Sequence, residues 1–396
     1  MTGATGDRLV MEEGRFARFE RIDWWDQKKL QDARILVVGA GALGNEVIKN
    51  LVLLGVGHVV VVDMDLVEDT NLTKSVLFRE GDIGKPKAVV AAQATRQMYD
   101  GTKISGLVGN LMADVGMGWF RWADVVIGAV DNREARVFIN QCCAHAGRAW
   151  VDGGIDVLGG IVRSFHPPHT SCYECTMGEG DWKQLNQRRS CSLLARHAVA
   201  AGGTPTTPTS ASVIGALQVQ EVIKRLHAMD CLAGSGYVFE GHQHQSYTVE
   251  YPVSPDCPWH ESQPIIEEFP LFHAETLFSE IWQTGIERLG GSLDALEFAR
   301  EIVSHLECPR CNDVEEIFVP IDRITQQQAV CPNCNGERAP RLMHSLAPKS
   351  PLLDRTPSTL GLPLWDSVWA RRGENVIGIE LSGDRDAALA ASDSTL

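Results

Sequence analysis

Gly39, Gly41 and Gly44 stand in GAGALG, directly behind the apolar run ILVVG (35–39). That run reads as a short buried strand, and GALGNEVIKNLVLLG (41–55) carries apolar residues at helical spacing. Glycines at such a turn let backbone N–H groups approach a phosphate, and the helix N-terminus adds favourable partial charge. Asp63 ends a second strand-like run, HVVVVDMD, where a carboxylate can bind ribose hydroxyls. These residues alone suit a dinucleotide as well as ATP; the later ones discriminate. Asp65, two residues past Asp63, projects to the same side of the strand end. NLTK (71–74) supplies the Asn71 amide and the Lys74 cation, and KPK (85–87) opens a helix with Lys87 in reach of phosphates. Asp131 follows the apolar strand DVVIGAV, where a carboxylate would hold Mg²⁺. Hydride transfer needs none of these cations, whereas adenylyl transfer needs them to offset developing negative charge. Each has a plainer reading taken singly: Lys85 and Lys87 as solvated surface charges, Asp131 as a cap for the helix NREARVFINQCC.

The cysteines suggest a second chemistry. Seven of the eleven stand in short pairs. Cys172 and Cys175 lie in SCYEC, after the strand-like GGIVRSF, and Cys257 and His260 lie in PDCPWH, after SYTVEYPV. Two strand-end knuckles brought together would close a Cys₃His zinc site, with His166 and His169 as competitors for the fourth position. Cys308, Cys311, Cys331 and Cys334 form C-x2-C-x19-C-x2-C, with proline after the first cysteine of each pair. That pattern suits the tight turns of a zinc ribbon, and four thiolates leave no open position for a substrate, so the second Zn²⁺ is structural too. Cys142 and Cys143 sit on an apolar helix and read as core.

The elements that must position these residues follow from the apolar pattern. RFARFERIDWWDQKKLQDA (15–33) reads as an amphipathic helix. Strand-like and helix-like runs then alternate to about residue 155, the βαβ pattern of a mainly parallel sheet flanked by helices. Residues 180–210, with glycine, two prolines and many small polar residues, read as a mobile crossover loop, and SASVIGALQVQEVIKRLHAMD (210–230) as a strong helix. Beyond about 262 the alternation stops, and a smaller α+β segment surrounds the cysteine quartet. NVIGIEL (375–381) is a strand that either offers a free edge to a partner or completes its own sheet. The balance of 36 basic against 51 acidic residues, −15 overall, argues against nonspecific nucleic-acid binding. No apolar stretch approaches membrane length and no signal core opens the chain, so a cytoplasmic location is expected.

ILVVGAGALG, VVVVDMDLVEDTNLTKS, IGKPKA and VIGAVDNREARVFIN together resemble the core of the ThiF/MoeB/ubiquitin-activating enzyme superfamily, over roughly residues 15–260. The resemblance implies a doubly wound, Rossmann-like α/β adenylation domain, usually dimeric. It also implies adenylation, with Mg-ATP, of the C-terminal glycine of a ubiquitin-like or sulfur-carrier protein. It puts Gly39, Gly41 and Gly44 at the phosphates, Asp63 on the ribose, Asn71 and Lys87 on phosphates and Asp131 on Mg²⁺. RFAR (15–18) matches the region whose arginine reaches into the partner subunit's site, making Arg18 the candidate and Arg21 its near competitor. Lys74 stands where the family usually has arginine, keeping the charge but losing the bidentate fork. The family also commonly has cysteine where His260 stands.

Cys191 lies in the expected crossover loop, ahead of a segment similar to the family's helix after the active-site cysteine. Arg188 and Arg189 would favour its thiolate, and a thiolate there could displace AMP and hold the carrier as a thioester. The plainer reading is a free cysteine of no consequence. The expected organisation is an N-terminal helical segment at 1–34 and an adenylation domain at 35–262 with its crossover loop at 180–210. A C-terminal extension at 263–384 then bears the zinc ribbon, followed by a disordered tail at 385–396. The expected function is that of a homodimeric, bacterial-style activating enzyme for a ubiquitin-like protein, whose extension binds the modifier or a conjugating enzyme. The alternatives are a sulfur-carrier adenylyltransferase of the thiamine, molybdopterin or tRNA-thiolation type, an NAD-dependent oxidoreductase, and a non-catalytic nucleotide-binding scaffold.

Overall fold

The computed structural model describes residues 14–190, 193–194 and 205–394. The first sheet uses β1 (Arg34–Val38), β2 (His58–Asp63), β3 (Lys103–Val108), β4 (Val125–Gly128), β5 (Ala149–Ile155), β6 (Gly159–Phe165), β7 (Ser235–Glu240) and β8 (Gln245–Glu250). Their order is β3-β2-β1-β4-β5-β6-β7-β8; the first five are parallel, and β6, β7 and β8 add on antiparallel. The helices are α1 (Gln27–Asp32), α2 (Ala42–Leu53), α3 (Lys87–Arg96), α4 (Leu111–Asp114), α5 (Met117–Trp122), α6 (Arg133–Ala146), α7 (Glu179–Ser190), α8 (Pro208–Leu226), α9 (Phe278–Leu289) and α10 (Arg385–Ser394). The doubly wound, mainly parallel sheet expected from the alternation is therefore present.

Strand periodicity sorts the central side chains onto two faces. Ile35, Val37, Val59 and Val61 join a core with residues of α2, α3 and α8, including Val47, Val90 and Ile214. Leu36, Val38, Val60 and Val62 face the other way, onto Phe120 and Ile139 and onto Ile266, Trp365, Trp369 and Ala388. The C-terminal part therefore closes the second face of the first sheet. It builds its own sheet from β9 (Ile266–Glu268), β10 (Ala295–Glu307), β11 (Val314–Pro320), β12 (Ala339–Leu346), β13 (Ser367–Arg372) and β14 (Asn375–Glu380), in the order β11-β10-β13-β14-β9 with β12 on β10. A buried ion pair joins the two parts. Arg300 on β10 meets Asp366 at 3.0 Å and donates to the Met112 carbonyl, while Asp366 accepts from the Met117 N–H at 3.0 Å.

Three expectations change, and one open alternative is decided. The segment 15–33 is not one helix: a 3-10 turn at Phe19–Arg21 and α1 flank Trp24 and Trp25, whose rings gather round His227 just past α8. His227 Nε2 accepts the Asp26 N–H at 3.0 Å, and the Asp26 carboxylate caps α1, so the chain must turn there. Residues 180–190 of the expected crossover loop belong to the helix α7, held to α6 by Arg133 through Asp181 (2.8 Å) and Gln184 (2.8 Å). Residues 385–394 of the expected disordered tail are also helical. In α10 the buried Ala388 joins the apolar core, Ser392 donates to Ser105 on β3 and Arg385 pairs with Glu268. NVIGIEL completes its own sheet: β14 pairs with β13 along one side and with β9 over Gly378–Glu380 on the other. Among the described residues no helix is long and apolar enough to cross a membrane.

Candidate nucleotide site and metal clusters

The strand order reverses between β1 and β4, and the loops after them carry the glycine turn and Asp131. A crevice at such a switch point, beyond the carboxyl ends of parallel strands, is where doubly wound sheets bind ligands. Gly39 has φ +100°, and a Cβ there would lie 2.4 Å from the Ala129 carbonyl oxygen. A Cβ on Gly44 would lie 2.0 Å from the Gly39 carbonyl oxygen. Those two glycines let the turn, α2 and the β4 loop touch. Gly41 differs: a Cβ there would meet nothing within 4 Å, so this glycine borders open space at the N-cap of α2. N–H groups in the first turn of a helix have no partner within it, which suits a phosphate at that helix start.

Asp63 closes the turn from the side. One carboxylate oxygen accepts the Ala40 N–H at 2.7 Å and the other accepts the Asp65 N–H at 2.8 Å. Burial pushes this carboxyl above its ordinary value, against the lowering effect of the two N–H groups and of Lys87. Lys87 opens α3 and pairs with Asp65 at 2.8 Å, while its N–H donates to the Asp65 carbonyl. Lys87 is thus held at the crevice by an exposed carboxylate with which a phosphate would compete. Lys85 instead pairs with Asp82 on the surface, the solvated reading for that residue. Asn71 Oδ1 accepts the Glu68 N–H at 3.0 Å, so its carbonyl caps its own turn and its NH₂ is the group left to face a ligand. Lys74 is half-buried in the same strap.

Asp131 is exposed, two residues past Ala129, and its carboxylate has a long 3.4 Å contact with Asn132 Nδ2. It does not cap α6: Asn132 does, accepting the Ala135 N–H at 2.8 Å. An exposed carboxylate at the crevice, relieved of the capping duty, fits a hydrated Mg²⁺. Arg18 lies exposed at the start of the first 3-10 turn. Cys191 and its flank at 192 lie outside the described residues, as do the side chains of Arg188 and Arg189.

Two groups of residues needed the structure to be seen. Asn45, fully buried in α2, donates to the Ala40 and Gly41 carbonyls and accepts the Leu77 N–H at 2.9 Å. It ties the glycine turn to the strap carrying Asn71 and Lys74. Asp152 at β5, also fully buried, is bound by Arg136 Nε at 2.8 Å and Arg163 Nε at 3.0 Å. Arg136 also donates to the carbonyls of Val130 (2.7 Å) and Gly153 (3.0 Å), bracing the backbone next to Asp131. A buried polar residue in a strand run, as in AWVDGG, was the available signal for Asp152.

Both sulfur clusters form. Cys172 Sγ lies 3.5 Å from Cys257 Sγ, and Cys175 Sγ lies 3.0 Å from His260 Nε2. His260, not His166 or His169, takes the fourth position; its Nδ1 faces the Pro168 carbonyl at 3.4 Å, which orients the ring. Cys308 faces Cys334 at 3.5 Å and Cys311 faces Cys331 at 3.6 Å. In each cluster the four ligand atoms lie within 4.8 Å of one another. Tetrahedral zinc with Zn–S bonds of about 2.3 Å puts its sulfurs roughly 3.8 Å apart, so both donor sets could hold zinc. Cys142 and Cys143 are buried in the core, and burial pushes both thiols well up.

The sequence pattern of the ThiF family matches residues 14–258. A "Ubiquitin-activating enzyme E1-like" protein of Saccharomyces cerevisiae is 33% identical over 154 residues, 38% of this chain and 24% of the relative. The "Sulfur carrier protein ThiS adenylyltransferase" of Bacillus subtilis is 34% identical over 169 residues, 41% of this chain and 50% of the relative. The chain therefore spans between a quarter and a half of the length of these relatives. Among solved structures, E. coli MccB with ATP superimposes with a TM-score of 0.53 at 22% identity, over 64% of this chain and 75% of that one, a likeness of fold. The family match thus spans the glycine turn, the Asp63–Lys87 side of the crevice, Asp131 and the first sulfur cluster up to Cys257, and the chain belongs to the ThiF family.

Proposed function

We propose that this chain adenylates the C-terminal carboxylate of a ubiquitin-like protein and then holds the acyl group as a thioester on Cys191. The observation that carries the adenylation step is the convergence at one crevice of the glycine turn, Asp63, Asp65, Lys87 and the Asp131 loop. Gly41 and the α2 N-terminus cradle phosphate, Asp63 faces the ribose, and Lys87 exchanges Asp65 for a phosphate oxygen. Asp131 would hold Mg²⁺, which when bound offsets the charge that builds on the polyphosphate. The carrier carboxylate attacks the α-phosphorus, the bond to pyrophosphate breaks, and an acyl-adenylate forms. The Cys191 thiolate then attacks the acyl carbon and AMP leaves. Lys74 supplies one positive charge where a fork would supply two donors.

In this reading the chain acts as a cytoplasmic homodimer, with Arg18 reaching into the partner subunit's site. The two sulfur clusters hold structural Zn²⁺, and the extension docks the modifier or a conjugating enzyme. A second reading is supported by the likeness to the Bacillus subtilis relative: adenylation of a sulfur-carrier protein, with Cys191 carrying sulfur or dispensable. One experiment separates them. Wild type and Cys191→Ala are incubated with ATP and candidate carriers, and pyrophosphate exchange and non-reducing gels are read together. The thioester reading expects exchange in both proteins and a reducible adduct in wild type alone. An adduct that persists in Cys191→Ala removes the nucleophile assignment. Exchange without any adduct selects the sulfur-carrier reading, and no exchange with any carrier removes both.

A further inference from the structure

The first sulfur cluster and the nucleotide crevice are joined by one buried ion network. Between Cys172 and Cys175 the chain carries Tyr173, whose ring is buried against Trp150 and Phe165. The Arg163 guanidinium lies over that ring, 4.9 Å from its centroid, and its Nη1 reaches the Thr176 hydroxyl at 3.5 Å. Nε of the same guanidinium donates to Asp152 Oδ2 at 3.0 Å, and the other oxygen, Oδ1, accepts from Arg136 Nε at 2.8 Å. Arg136 in turn holds the Val130 carbonyl at 2.7 Å, one residue before Asp131.

Helix α6 makes the same connection by a second route. Asn132 caps it beside Asp131, and further along the fully buried Asn140 accepts the Tyr173 N–H at 3.0 Å. Gln141 donates to the Glu174 carboxylate at 3.2 Å. The two residues between the cysteines are thus gripped by the helix that starts beside Asp131 and by the guanidinium that reaches the same loop. A buried carboxylate shared by two guanidiniums cannot release either one without leaving an unpaired charge. Close-packed interiors pass such a displacement on rather than absorb it. Zinc bonded to Cys172 and Cys175 would fix both ends of the Tyr173–Glu174 span.

We propose that the first metal cluster and the Mg-ATP site are energetically coupled through Tyr173, Arg163, Asp152 and Arg136, which makes Tyr173 and Arg163 positioning residues for the loop that carries Asp131. Coupling between two binding sites is reciprocal: the factor by which bound nucleotide tightens zinc is the factor by which zinc tightens nucleotide. The cluster is then more than a clip on the fold, because its occupancy sets affinity at the crevice. This coupling rests on the reading of the crevice as an Mg-ATP site.

The test uses the full chain carrying Cys308→Ser and Cys334→Ser, so that zinc resides in the first cluster alone; the same titration of wild type checks that background. Zinc affinity is measured by equilibrium competition with a chromogenic chelator, with and without Mg²⁺ and a non-hydrolysable ATP analogue, and calorimetry confirms that the analogue binds. Bound analogue should tighten zinc at least about fivefold, the lower end of usual couplings. Tyr173→Phe keeps the ring and should keep the effect. Arg163→Lys keeps a cation on Asp152 but loses the planar group over Tyr173, so the effect should shrink to within about twofold. If Arg163→Lys does not fold, Tyr173→Leu, which removes the ring instead, is read in its place. Tightening as strong in that variant as in its parent overturns the route and assigns the effect to the nucleotide's hold on the folded chain as a whole. Analogue that binds without altering zinc affinity removes the coupling alone, whereas no analogue bound to wild type removes the adenylation reading and the coupling together. Protein that takes up no zinc at the first cluster also overturns the coupling.

Discussion

Replacing Asp152 by asparagine removes one charge and almost no volume from the brace behind the nucleotide crevice. The carboxylate is fully buried between Arg136 and Arg163, whose side chains are 12% and 15% exposed. Asparagine leaves both guanidiniums in place without an anion. Removing one partner of a buried pair costs about 3–5 kcal/mol, a large share of the roughly 5–15 kcal/mol that holds a native chain together. With a denaturant slope near 3 kcal/mol/M, the urea midpoint should fall by about 1 M or more. The pH dependence gives an internal control. Burial alone would push the Asp152 carboxyl up, but the two guanidiniums outweigh it and hold the group below its ordinary 3.8. A depressed carboxylate contributes stability that is present above the unfolded value and is lost as the pH falls through the lower folded one. The gap between wild type and variant should therefore be constant from pH 8 to about 5 and narrow below about 4. Because Arg136 also holds the Val130 carbonyl, pyrophosphate exchange should drop by about tenfold or more, with a raised Mg²⁺ requirement. A variant that unfolds within about 0.5 kcal/mol of wild type at pH 7 and keeps its Mg²⁺ dependence refutes the brace.

Two further outcomes are expected. Gly39→Ala would put a Cβ 2.4 Å from the Ala129 oxygen at φ +100°, so ATP affinity by calorimetry should fall at least about tenfold; unchanged affinity would remove the turn from the site. Elemental analysis should find two zinc ions per chain, and Cys308→Ser with Cys334→Ser should reduce this to one while nucleotide binding persists; two ions retained in that double variant would disprove the ribbon site.

What the residue order alone determined is what local spacing can determine. The glycine turn, the Asp63 strand end and each C-x2-C knuckle are short, and their backbone geometry follows from a few neighbouring residues. The βαβ alternation likewise carries its own period, so the doubly wound sheet is legible in the sequence alone. The long-range partners were not. Cys172 and Cys257, 85 positions apart, meet only because β6 and β8 lie either side of β7 in one sheet, and that same geometry selects His260 over His166 and His169. Asp152 looks like an odd polar residue in a strand until β5 and β6 place Arg163 beside it and α6 brings Arg136. The tail reads as polar and small, yet it folds because the far face of the sheet offers β3 and the buried niche taken by Ala388. Leu193 is one leucine in a polar stretch until the ribbon supplies the apolar surface that buries it. Local composition fixes periodicity, turns and knuckles; partners drawn from distant segments depend on which surfaces the finished fold brings within contact.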